Sequence, residues 1–282
     1  MPSKAQNSNK NEKQAAVYPP IPTVSALRFE KFARLSVAGD NEDESSVIGT
    51  LNEKRLHAVI KNYLCDDTSK QEITVFDGNK KSRIAADVLV DGQIYEVQTG
   101  GFFPLRHKIQ RYLAETEYRV TVVAPVAHVK YLRWIDPASG SISERHRSPK
   151  KVGVTSLAKE LYWLRDFLAD ERFSIKVLLL EMEEFRMQDG WGNGGKRGSN
   201  RFDRIPLSLL AEIELQTSAD YAKYFLPNAL TENFTAADYS RASGIRGKAA
   251  YSMIKILCDM GLIFPADKIG RAQGYRKLKM EN

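Results

Sequence analysis

Residues 84–98, IAADVLVDGQIYEVQ, constrain this chain more than any other stretch. Two β-prone runs, 84–90 and 93–98, flank Asp91-Gly92, a dipeptide suited to the positive φ angles of a two-residue hairpin turn. Asp87 interrupts an otherwise apolar strand. Glu96 and Gln98 are two apart on the next strand, so their side chains share a face. If the strands pair across the turn, Asp87 lies beside Glu96 or diagonal to it. Two carboxylates directed at one spot repel unless a cation or a proton lies between them. Hard oxygen ligands with open positions suit Mg²⁺, or Mn²⁺ in its place. Glu53, in the preceding helical segment, could supply a third carboxylate.

The flanking pattern places this hairpin in an α/β domain with a mixed sheet flanked by helices. Apolar residues recur at helical spacing over 52–64, and a strand-like run follows at 72–76, with Asp77-Gly78 as a second turn. A helix is expected over 104–115, with Pro104 in its first turn, and a buried β-branched strand over 119–124. Weaker strands at 130–135 and 141–147, a helix over 155–169 and a strand over 174–181 complete the unit. Upstream, residues 1–20 read as a disordered arm, 25–29 could start a helix, and 40–44 form an acidic loop. Residues 189–205 read as a Gly-rich basic linker between the domain over 21–188 and a mostly helical one over 206–282. In that second domain, helices are expected at 206–215 and 219–226.

The ordered set around the hairpin resembles the PD-(D/E)xK nuclease superfamily, which includes Holliday-junction resolvases and many restriction endonucleases. A helix with Glu53, a strand bearing Ala86-Asp87, a turn, Glu96-Val97-Gln98, a helix and a further strand follow one another as in that family's α-β-β-β-α-β core. The likeness covers roughly residues 49–124. It implies a restriction-endonuclease-like fold, with Asp87, Glu96 and the Val97 carbonyl holding the metal and Glu53 completing the site or positioning a water. Gln98 stands where the family has a lysine that orients the attacking water and stabilises developing phosphorane charge. In some relatives that lysine has moved to a neighbouring helix. Here Arg106 and Lys108 are candidates to replace it, and either could equally be a plain phosphate contact.

The C-terminal phrase GIRGKAAYSMIKILCDMGLI resembles the recognition helix and wing entry of a winged helix-turn-helix, a likeness covering about residues 233–278. Thr235 is the expected N-cap of its first helix. The resemblance implies that Arg246, Lys248 and Tyr251 face the major groove or phosphates, with Arg271 and Arg276 on the wing. Such modules also dock proteins. A net charge of +7 and a pI near 9.2 agree with an anionic partner such as DNA. Lys196, Arg197 and Arg201 of the linker could lie along a phosphate backbone.

Other chemistry is not supported. Residues 190–196 match G-x-x-x-x-G-K, but Arg197 replaces the Ser or Thr that would hold Mg²⁺, so no nucleotide cofactor is expected. The four histidines are scattered, with His107 beside the proposed site, and Cys65 and Cys258 form neither a disulfide framework nor a zinc knuckle. Mean hydropathy of −0.40 and short apolar runs speak against a membrane protein. No charged-then-apolar leader opens the chain, and a reducing, cytoplasmic compartment is expected. The sequence therefore predicts a metal-dependent DNA endonuclease guided by a winged helix, with a dimer favoured if both strands are cut. The alternative is a non-catalytic DNA-binding or regulatory protein on a degenerate nuclease scaffold.

Overall fold

The computed structural model describes residues 18–38, 54–76, 83–188, 190–192, 196–197 and 199–278. Most of the expected arm, the acidic loop, Glu53 and the Asp77-Gly78 turn lie outside these residues. The described chain opens with helices α1 (Thr23–Ala38) and α2 (Lys54–Leu64). Strands β1 (Gln71–Phe76), β2 (Arg83–Val90) and β3 (Gln93–Val97) follow as an antiparallel meander. Asp91 and Gly92, at φ 49° and 74°, make the tight turn between β2 and β3, as the sequence predicts. Helix α3 (Leu105–Glu115) then crosses to β4 (Arg119–Ile135), which runs parallel to β3.

Strand β5 (His146–Arg147) folds back on β4, and a helical segment over residues 154–167 includes the one-turn α4 (Ala158–Leu161) between two 3-10 turns. Strand β6 (Phe173–Met187) lies parallel to β4. A small hairpin, β7 (Trp191–Gly192) with β8 (Lys196–Arg197), leads to β9 (Asn200–Leu215), antiparallel to β6. The main sheet therefore has the order β1-β2-β3-β4-β6-β9, with β5 on the flank of β4.

Three expectations are corrected here. Residues 206–215 are strand, not helix, because Leu209, Ala211, Ile213 and Leu215 are buried at every second position, the period of a strand. The separate strands expected at 119–124 and 130–135 are one element. It passes through Pro125 and absorbs a register shift between Ala127 and Val129. The helix expected over 155–169 is α-helical only over four residues.

Each face of the sheet carries its own apolar layer, set by alternation along the central strands. On one face Val123, Leu178 and Leu180 pack under Phe29 and Phe32 of α1 and Leu56, Val59 and Ile60 of α2. On the other, Val122, Ile175, Val177 and Leu179 meet Ile109 and Tyr112 of α3 and Leu161 of α4. That second layer continues into the C-terminal elements without a break.

The C-terminal elements are α5 (Ser218–Phe225), β10 (Asn233–Thr235), α6 (Ala236–Ser243), α7 (Lys248–Asp259), β11 (Ile263–Ile269) and β12 (Ala272–Lys277). The strands form a separate sheet in the order β10-β12-β11. Thr235 caps α6, accepting from the Asp238 backbone N–H while the Asp238 carboxylate accepts from the Thr235 N–H. Gly244, at φ 73°, ends that helix in the left-handed conformation glycine tolerates best. Among the described residues no helix is long and apolar enough to cross a membrane.

The alternation along β9 sets an expected outcome for urea denaturation. Ile213→Ala, at a position 3% exposed, lowers unfolding free energy by about 2–5 kcal/mol. Leu210→Ala, on the 37% exposed side of the same strand, changes it by less than about 1 kcal/mol.

Candidate active site

The site forms where β2 and β3 part. Their backbone pairing runs from Val90↔Gln93 to Val88↔Tyr95. One residue further on, Asp87 takes up the next donor with its side chain, Oδ2 accepting from the Val97 N–H at 2.7 Å. The same oxygen lies 3.1 Å from His57 Nε2. His57 reaches it because Leu56, Val59 and Ile60 bury one side of α2 and leave His57 and Lys61, one turn apart, on its flank. Lys61 pairs with Glu72 of β1. Glu72 adopts φ 53°, an uncommon backbone for a non-glycine residue, between the β1 positions that pair with Val88 and Ala86.

Glu96 is only 2% exposed. Two residues of α3, one turn apart, serve its two oxygens: Lys108 Nζ donates to Oε2 at 2.6 Å, and the Tyr112 hydroxyl lies 2.8 Å from Oε1. That hydroxyl is also 3.0 Å from the Ala85 carbonyl. A phenol has one proton. With Glu96 ionised, Tyr112 donates to Glu96. With Glu96 protonated on Oε1, Glu96 can donate to Tyr112 and Tyr112 to Ala85. The side chains of Glu96, Lys108 and Tyr112 can thus stay hydrogen-bonded to one another in either charge state.

Burial dominates the Glu96 carboxyl and, with the nearby Asp87 charge, pushes it up to about 7 against the pull of Lys108 and Tyr112. Burial also pushes Asp87 up, but His57, the Val97 N–H and Lys108 outweigh it and hold that carboxyl below its ordinary value. Environment therefore drives the two carboxylates apart, and Lys108 acts on both.

The residues expected at the site divide clearly. Asp87, Glu96, the Val97 backbone and Lys108 come together. Arg106 does not: it pairs with Asp166 in the 154–167 segment, with its side chain half exposed. Gln98 does not face Glu96 as the missing lysine would. Its amide donates to the Gly101 carbonyl at 2.6 Å and holds the turn after β3. That turn is fixed from the other side by Glu160, whose Oε2 accepts from the Phe102 N–H at 3.0 Å. Glu53 and the side chains of Lys196 and Arg197 lie outside the described residues. Arg246, Lys248, Tyr251 and Arg271 are exposed on the C-terminal elements, and Arg276 bonds the Asn233 side chain. His57 and Tyr112 were not singled out from sequence. The signal for both was an i, i+4 partner, Lys61 and Lys108, on an amphipathic helix.

A cleft of 790 Å³ opens beside His57 and the turn after β3, lined by His57, Lys61, Glu72 and the residues of the Val97–Gly101 turn. Among the described residues no three His, Cys, Asp or Glu side chains converge on a single metal position. The two carboxylates near enough to influence each other here are Asp87 and Glu96.

The raised Glu96 carboxyl fixes the sign of a pH effect. Between the ordinary value of 4.5 and about 7, the folded chain keeps a proton that the unfolded chain has released. Stability contributed by Glu96 is therefore fully present below the lower value and is lost as pH rises to the upper one, by on the order of 3 kcal/mol. Urea denaturation at about pH 5 and about pH 8 should show Glu96→Gln gaining stability relative to the parent chain as pH rises. An equal difference at both values would contradict this picture.

Over residues 54–216, more than half of the 282-residue chain, the sequence matches the family described as Domain of unknown function (DUF8091). It is 29% identical over 233 residues to an uncharacterized protein of Treponema pallidum (strain Nichols), covering 82% of this chain and 87% of the relative. No solved structure matches it. The match begins with α2 and ends just beyond β9, so it contains His57, Asp87, Glu96, Lys108 and Tyr112. The chain belongs to the DUF8091 family.

Proposed function

We propose that this chain is a metal-dependent nuclease that hydrolyses phosphodiester bonds of DNA, a soluble cytoplasmic protein built on a PD-(D/E)xK-like core. The observation that carries the reading is Lys108 Nζ at 2.6 Å from the buried Glu96 carboxylate, with Asp87 close enough to shift it. A lysine supplied from α3 answers the absence of one at position 98. The order α2, β1, β2, β3, α3, β4, with β3 and β4 parallel, is the α-β-β-β-α-β sequence that the resemblance implies.

The donor set fits Mg²⁺ or Mn²⁺. Asp87 and Glu96 supply hard oxygens, and the Glu96 carboxyl is raised by burial first and by the nearby Asp87 charge second. When bound, such an ion would offset charge on the scissile phosphate and acidify water. Asp87, Glu96 and the Val97 carbonyl would hold it. His57 is a positioning residue, fixing the Asp87 oxygen that also accepts from Val97. Lys108 presents a cation at the carboxylates, where charge develops on the phosphate. The open cleft admits the substrate.

The C-terminal elements would deliver DNA. Helix, strand, two helices and a hairpin, with the sheet order β10-β12-β11, support the winged-helix reading. Arg246 and Lys248 stand exposed at the start of α7, and Tyr251 is 65% exposed.

A second reading has a specific observation in its favour. The Gln98 amide is committed to the Gly101 carbonyl, which suits a scaffold that binds DNA without cutting it.

Nicking of supercoiled and branched DNA with Mg²⁺ or Mn²⁺ separates the two. Asp87→Ala, Glu96→Ala and Lys108→Met should each lower the rate roughly a hundredfold or more, with circular dichroism showing an intact fold. No cleavage by the parent chain with either metal, alongside salt-sensitive DNA binding, selects the scaffold. Under either reading, Arg246→Ala and Lys248→Ala weaken duplex binding, and each reduces its salt dependence by about one phosphate contact. Unchanged binding in both would turn the C-terminal elements toward a protein partner.

A further inference from the structure

The turn after β3 separates two clefts. Gln98, Thr99 and Gly100 line the 790 Å³ cleft beside His57 and also a second one of 260 Å³. The second cleft is basic. Lys130 of β4 and Arg201 and Arg204 of β9 line it, together with the carboxylate of Glu184 on β6. Glu184 is 3% exposed and acts as a buried anchor for the cations. Arg186 approaches it closely, Nη2 to Oε1 at 2.5 Å, whereas Lys130 Nζ and Arg201 Nε stand back at 3.4 and 3.8 Å. Those two separations exceed a short charge-assisted bond. Lys130 gives Glu184 one long bond from an ammonium with three donors, and Arg201 only approaches it, so both keep donor capacity for another anion, and the Arg201 side chain is 52% exposed. Arg204, opposite Glu184 in the β6–β9 ladder, donates to the Thr99 carbonyl at 3.4 Å and ties the cleft to the turn.

We infer that this basic cleft is a seat for a backbone phosphate of a nucleic acid, distinct from the carboxylate site. Positive charge in a walled recess favours an anion over a neutral ligand. A sugar–phosphate backbone crossing the Gln98–Gly101 turn would place one phosphate at Lys130 and Arg201 while its neighbours lie in the cleft on the other side of the turn. The anion seat follows from the cleft itself, whereas its assignment to a polynucleotide rests on the nuclease reading.

The test uses the full chain in EDTA, with two probes: a short labelled DNA duplex followed by anisotropy, and inorganic pyrophosphate as its competitor. Lys130→Gln and Arg201→Gln should each weaken duplex binding about fivefold, and each should reduce the slope of log affinity against log salt by about one. Arg201→Lys, which keeps the charge, should stay near the parent. Arg34→Gln removes an equal charge from a side chain 83% exposed on α1 and should change nothing. Pyrophosphate should displace the duplex from the parent chain and lose potency in the Lys130→Gln, Arg201→Gln double variant. Duplex and pyrophosphate binding in that double variant equal to Arg34→Gln would overturn the seat. Lost pyrophosphate binding with duplex affinity unchanged would overturn the polynucleotide assignment. If the parent never nicks DNA but the variants behave as stated, the seat stands and the nuclease reading falls.

Discussion

A carboxylate held at 2% exposure inside a sheet must be balanced, and the surroundings of Glu96 are arranged around that requirement. Lys108 and Tyr112 meet its two oxygens from one face of α3, which fixes the rotation of that helix about its axis. Leu105, Ile109 and Tyr112 are the buried positions of the same helix, so apolar packing and polar pairing impose one orientation. Asp87 imposes a matching condition on the other neighbour. By accepting from the Val97 N–H it satisfies the backbone where β2 leaves β3, and by meeting His57 it sets the approach of α2. Two helices and two strands are thus tied together at the point where the cleft opens.

Much of this was legible in the sequence because it is local. Asp91-Gly92 specifies a tight hairpin whatever surrounds it, and the 3.6-residue period of α2 and α3 is strong. Thr235 with Asp238 is a cap that needs only four residues. What could not be read depends on partners distant in sequence. Residues 206–215 mix Leu, Ser, Ala and Glu in a way that satisfies both periods, and only the long β6 beside them selects the strand. The extension of β4 and β6 past their apolar halves is held by continued backbone pairing, from Lys130↔Met182 to Ile135↔Met187, which no single run of sequence displays.

The site divides along the same line. The carboxylates lie on adjacent strands of one hairpin, so their proximity follows from a turn and a period of two. Choosing between Arg106 and Lys108 required knowing which face of α3 meets the sheet. Arg106 lies on the side facing Asp166, and Lys108 lies over Glu96. His57 acquires its role from a contact thirty residues away, and Gln98 from a carbonyl three residues on. Since the family match ends at residue 216, the carboxylate site and the basic cleft both lie within the segment shared with the family. The C-terminal helices lie beyond it. Their core is nonetheless continuous with that of the sheet, as Tyr239 donating to the Phe225 carbonyl illustrates.

The central proposal is that Asp87 and Glu96 together form a divalent-cation site, with burial pushing the Glu96 carboxyl up to about 7. Calorimetric titration of Mn²⁺ into the chain, repeated in buffers of different ionisation enthalpy, tests it most directly. The account predicts one ion per chain, with a fraction of a proton released at about pH 7 and almost none at about pH 9. It also predicts that Asp87→Asn abolishes binding and that Glu96→Gln abolishes the proton release. Absence of Mn²⁺ binding, or binding that both substitutions leave unchanged, would contradict it.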